Sequence, residues 1–97
     1  MNIILIVKMK SKDEITIDVV DYGKGRFLEQ VDWNLETGWY NNSDRKAEAI
    51  YALMDHYNAN QIIFDEETVS VNLIKAFNEH LDKKGLALNE FGYVTML

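Results

Sequence analysis

Cysteine and proline are both missing from this chain of 97 residues. Without cysteine there is no disulfide, no thiolate nucleophile and no cysteine metal site, and a reducing cytoplasm is the expected setting. Without proline, punctuation of the chain falls to Gly, Asn and Asp. Long apolar runs are missing too. Ile3 to Val7, the most apolar stretch, is far short of a bilayer span and lacks the basic flank and cleavage site of a signal peptide. Positive charge is scarce, with 10 Lys and Arg against 16 Asp and Glu and a formal charge of -6. Direct binding to a nucleic-acid backbone or a membrane surface is therefore not expected, since both depend on Lys and Arg.

What remains is an ordinary globular composition, 47% hydrophobic and 27% charged. It suits a single α/β domain over residues 1–97, large enough to build one core and too small for two. Ile3-Ile4-Leu5-Ile6-Val7 is apolar on both alternating faces and reads as a central strand. After the polar turn Ser11-Lys12-Asp13, Ile15, Ile17 and Val19 alternate with Thr16 and Asp18, as in a half-buried second strand. Gly23-Lys24-Gly25 supplies positive-φ residues for a reversal, and Phe27, Val31 and Trp33 are expected on one face of a third strand. Asn34 to Asn42 reads as a loop carrying Trp39 and Tyr40 beside Gly38.

Ser43 or Asp44 is placed to cap a first helix, in which Ala47, Ile50, Leu53, Met54 and Tyr57 form a stripe that ends at Asn58 to Asn60. Gln61 to Phe64 is a fourth strand. The acidic triplet Asp65-Glu66-Glu67 is expected at the positive end of a second helix, whose stripe is Leu73, Ile74, Phe77 and Leu81 and whose end is Lys83-Lys84-Gly85. Leu86 to Leu88 starts a fifth strand, and Phe91 to Leu97 reads as a last short strand or an arm.

The order strand, strand, strand, helix, strand, helix, strand resembles the core of the ribonuclease H-like superfamily, a single mixed sheet with the first strand central and the fourth parallel beside it. The stretch AIYALMDHYNANQIIFDEE is similar in texture to the nuclease domains of phage packaging terminases. That resemblance implies a two-metal site built from carboxylates, with Asp65 or Glu66 at the fourth-strand position and Glu48 as the helix ligand. The first strand, however, offers Lys8 and no acid, and the chain ends before the helix that would carry the last ligand. No metal site and no catalytic residue are assigned, and no cofactor is expected.

Other features have plain structural readings. Two unclustered histidines, His56 and His80, suit helix surfaces; Gly23-Lys24-Gly25 lies between strands rather than before a helix; Ser43 and Ser70 suit helix caps. A strand order 3-2-1-4-5 with right-handed crossovers puts both helices on one face of the sheet and leaves the other apolar and bare. Soluble proteins usually cover such a face with a partner or a symmetric copy. The expected function is thus that of a small, acidic, non-catalytic binding or regulatory protein, acting as a homodimer or on a protein partner, with Trp39 and Tyr40 as candidate contact residues. The Asn-rich, proline-free style suits a phage or mobile-element protein. The alternatives are a metal-dependent nuclease with a degenerate site and an acidic decoy of a nucleic-acid-binding protein.

Overall fold

The computed structural model describes residues 2–11, 14–34 and 43–97. The polar turn at Lys12-Asp13 and the Trp39 and Tyr40 contact pair lie outside these residues. The elements run β1 (Ile3–Ser11), β2 (Glu14–Asp21), a 3-10 turn (Tyr22–Lys24), β3 (Arg26–Asn34), α1 (Ser43–Tyr57), β4 (Gln61–Phe64), α2 (Val71–Asp82), β5 (Leu86–Leu88) and β6 (Val94–Met96). It is a mixed α/β fold. A four-stranded sheet has the order β3-β2-β1-β4, with β1 antiparallel to β2, β2 antiparallel to β3, and β4 parallel to β1.

Strand alternation decides what is buried. Ile3, Leu5 and Val7 of β1, Ile15, Ile17 and Val19 of β2, and Ile62 of β4 point to one side of the sheet and are almost fully buried. On that side they meet Ala47, Ile50 and Met54 of α1 and Leu73, Ala76, Phe77 and Leu81 of α2 in a single core. Phe64 continues this face of β4, with its ring edge-on to Phe77 at 5.3 Å between centroids. Both helices therefore cover the same face.

Local chemistry sets the ends of the elements. Asn58 takes φ +53 at the end of α1, a left-handed conformation that Asn tolerates better than most residues. Ser70 accepts from the Leu73 N–H and is the N-cap of α2. The acidic triplet therefore lies in the turn before the helix, and no acidic residue falls in the first turn of α2. Asp65-Glu66-Glu67 thus stands between β4 and α2, as its position after the strand leads one to expect, and the cap itself is Ser70. Between β2 and β3, Asp21 caps the 3-10 turn through the Lys24 N–H, and only Gly25 of the two glycines has positive φ, at +60.

Two expectations are corrected. The register of β3 shifts between Val19 and Val20, leaving Leu28 unpaired, so Phe27 pairs with Val20 while Val31 and Trp33 pair with Ile17 and Ile15. A bulge moves every later side chain to the opposite face. Phe27 is consequently on the face away from the helices and 57% exposed, whereas Val31 and Trp33 pack on the core. The sheet is also not single. β5 pairs with β6 in a separate antiparallel ribbon instead of lying beside β4. That ribbon touches the outer edge of β4 through the bridge between Gln61 and Tyr93, where Ile62 N–H donates to Gly92 O at 2.9 Å and Val94 N–H to Asn60 O at 3.1 Å.

Candidate functional site

The carboxyl ends of the parallel strands β1 and β4 are where an open α/β sheet usually carries its chemistry. Asp65 stands there, its N–H donating to Val7 O at 2.9 Å. Its carboxylate is used by its own turn: Oδ1 accepts from Glu67 N–H at 3.2 Å, and Oδ2 accepts from Thr68 Oγ1 at 3.0 Å. Thr68 Oγ1 in turn accepts from Met9 N–H at 3.1 Å, which ties the turn to the end of β1. Beside it lies a cleft of about 450 Å³ lined by Met9, Ser11, Lys46, Thr68, Ser70 and Leu73. Hydroxyls and one amine join Met9 and Leu73 on its wall, and no carboxylate is among its described lining residues.

The candidate ligands are not brought together. Glu66 is exposed in the turn and lines a different cleft, against Ile62, Ile74 and the 88–92 turn. Glu48 is on the outer surface of α1 near Arg45 and Ala52, close enough to His80 of α2 to raise that imidazole's affinity for a proton. Among the described residues there is no group of three or more His, Cys, Asp or Glu able to hold a metal ion.

His80 packs against α1, its ring 5.3 Å from that of Tyr51 in an edge-on contact, with the Lys84 amine 5.0 Å from the Tyr51 ring on the same cluster. Burial is the main cause holding its pKa below the ordinary imidazole value, helped by the positive charges of Lys84 and Lys83 and opposed by Glu48. His56, at the end of α1, stacks edge-on with Tyr57. Both histidines are parts of helix surfaces rather than of a shared site.

The second place of interest is the face of the sheet turned away from the helices. Pairing places Gln61, Ile4, Val20 and Phe27 in one row across it, and Ile63, Ile6, Asp18 and Gln30 in the next. Lys8, Thr16 and Asp32 form the third. The first two rows carry the apolar side chains, with Phe27 exposed at the β3 edge and Ile63, 43% exposed, on β4, Ile6 and Val20 half-buried between them, and Ile4 and, in the third row, Thr16 buried. The polar part is ordered by side chains of the face itself: Gln30 Nε2 donates to Asp18 Oδ1 at 2.9 Å, and Thr16 Oγ1 donates to Asp32 Oδ1 at 2.8 Å. Neither α1 nor α2 covers this face. Alternation along Ile62, Ile63 and Phe64 gives Ile63 this position, whereas alternation misassigns Phe27; the adjacent apolar pair Phe27-Leu28, which breaks strict alternation, is the signal of a bulge that would have placed it.

No protein-family model matches the chain, and no curated protein matches it. No helix of the described residues is long and apolar enough to cross a membrane.

Proposed function

We propose that this chain is a non-catalytic binding or regulatory protein, acting as a homodimer or on a protein partner through the open face of its sheet. The observation that carries the reading is the placing of Ile6, Val20, Phe27 and Ile63 on a face that neither helix covers. A contiguous apolar surface rimmed by polar residues is the usual form of a protein-binding patch. The test is mass in solution at micromolar concentration, for the chain and for its Phe27→Asp and Ile63→Asp variants. The expected result is a mass above that of one chain, reduced in either variant with the melting transition retained. A clean monomer that takes no protein partner overturns the proposal.

The strand order β3-β2-β1-β4, with β4 parallel to a central β1, supports a ribonuclease H-like arrangement for this binding fold. A second reading, a metal-dependent nuclease with a degenerate site, rests on Asp65 at the carboxyl end of β4 beside β1. It is the weaker of the two, because both oxygens of that carboxylate already accept hydrogen bonds from the turn.

A further inference from the structure

Apart from the open face, we propose a second binding site: the outer edge of β4 takes an extended segment of a partner protein, basic and apolar in character, as an added strand. Backbone geometry comes first. Asp65 N–H donates inward to Val7 O and Ile62 N–H donates outward to Gly92 O, so alternation along β4 turns both backbone groups of Phe64 outward. The β5-β6 ribbon meets this edge only as far as Ile62. Past Gly92 its chain curls back toward β5, because Asn89 Oδ1 gathers Phe91 N–H and Tyr93 N–H. Phe64 N–H and C=O have no hydrogen-bond partner among the described residues, and such an unpaired edge is a template for another strand.

What flanks these groups selects the occupant. Where the ribbon departs, a groove of about 310 Å³ runs along Ile62 to Phe64, walled by Ile74 of α2 and by Leu88 and Phe91. Ile63 and Phe91 are exposed there, while Phe64, Ile74 and Leu88 are half-buried. The charged members of the groove are Glu66 and Glu90, both exposed and neither in an ion pair among the described residues. No Lys, Arg or His is among its described lining residues. An added strand supplies what such a groove lacks: backbone partners for Phe64, apolar side chains for the walls beside it, and Lys or Arg for the two carboxylates. A second copy of this chain suits the edge poorly. Pairing β4 with β4 lays one acidic groove against another, in a chain whose formal charge is already -6.

The test uses a short capped peptide of alternating lysine and valine, added to the intact chain and followed by NMR and amide hydrogen exchange. The expected result is saturable binding that slows exchange of Phe64 N–H, whereas the same peptide with glutamate in place of lysine does not bind. Glu66→Lys and Glu90→Lys should each weaken binding roughly tenfold. Glu29→Lys makes the same charge change on β3, at the opposite edge of the sheet, and should weaken it far less. Circular dichroism confirms that the variants are folded. The proposal is wrong if the peptide does not bind, if it binds without protecting Phe64 N–H, or if Glu29→Lys weakens it as much as the groove variants do. Phe64 N–H already protected in the free chain would overturn it as well, the edge then being closed or taken by a second copy. Phe27→Asp separates this site from the open face: peptide binding should survive it, and loss of binding in that variant would put the peptide on the open face instead.

Discussion

Gly92 packs its α-carbon directly against the carbonyl oxygen of Ile62, so that a β-carbon at position 92 would overlap that oxygen. The residue also has φ +83, a conformation that side chains disfavour. Close approach and unusual backbone together let the 89–93 turn pair with the outer edge of β4, where Asn89 Oδ1 accepts from Phe91 N–H and Tyr93 N–H. Gly92→Ala should therefore cost at least about 2 kcal/mol, by strain at the backbone and loss of the edge contact. Gly25→Ala is the control, because it has φ +60 with open space around it and should cost only about 1 kcal/mol. Urea melts of the two variants check the difference; equal losses would mean that the contact with Ile62 contributes nothing.

The acidic turn gives the next prediction. Removing the Asp65 side chain takes the acceptor from Glu67 N–H and leaves Thr68 Oγ1 only the longer contact to Asp65 O at 3.5 Å, and because these groups are exposed Asp65→Ala should lower stability by about 1 kcal/mol. Asp65→Asn keeps one acceptor oxygen and should lose less. Because the carboxylate is already engaged, millimolar Mg²⁺ or Mn²⁺ should leave the melting temperature almost unchanged in all three proteins. A rise of many degrees that vanishes in Asp65→Asn would instead establish a metal site at the end of β4, since a bound ligand stabilises by mass action.

Much of the fold is legible from periodicity, and the places where it is not share a physical cause. The β4 strand and the α2 stripe follow from local spacing, because each buries one face against the same core. A bulge is different. Leu28 adds one residue to β3, and a single insertion reverses the facing of Phe27 relative to Val31 and Trp33 without changing composition. The partner of β5 is equally hidden: three residues, Leu86 to Leu88, can pair with β4 or with β6, and the turn organised by Asn89 and Gly92 decides for β6. As for the site, Asp65 is visible as an acid after a strand, but its consumption by Thr68 and Glu67 depends on the turn conformation.

His80 supplies a pH dependence whose sign can be worked out. Its neighbours are Tyr51 and Glu48 on α1 and Lys83 and Lys84 beyond the end of α2, and burial together with the two lysines outweighs Glu48 in lowering its pKa. The unfolded chain then binds a proton more readily than the folded one. The contribution of this group to stability is fully present above the ordinary imidazole pKa of about 6.5 and declines as pH falls through the lower folded value. The effect is modest, because the side chain is only partly buried. NMR titration of the His80 ring should give a midpoint below that ordinary value, and Glu48→Gln should lower it further. A midpoint above it would show that Glu48 dominates the cluster.

Two phenylalanines test how the fold separates core from contact surface. Phe77 is fully buried between α2 and the sheet, edge-on to Phe64, and its truncation removes a large volume from the single core. Phe77→Ala should cost about 3–5 kcal/mol, enough to unfold a domain of this size under mild conditions. Phe27, 57% exposed on the open face, has little to lose in the folded monomer. Phe27→Ala should change the stability of the isolated chain by less than about 1 kcal/mol, while weakening association as the loss of an aromatic anchor does. Melts at low concentration, where association is minimal, give the first quantity, and the concentration dependence of the mass gives the second. Were Phe27→Ala as destabilising at low concentration as Phe77→Ala, Phe27 would belong to the core and the open face would lose its principal contact residue.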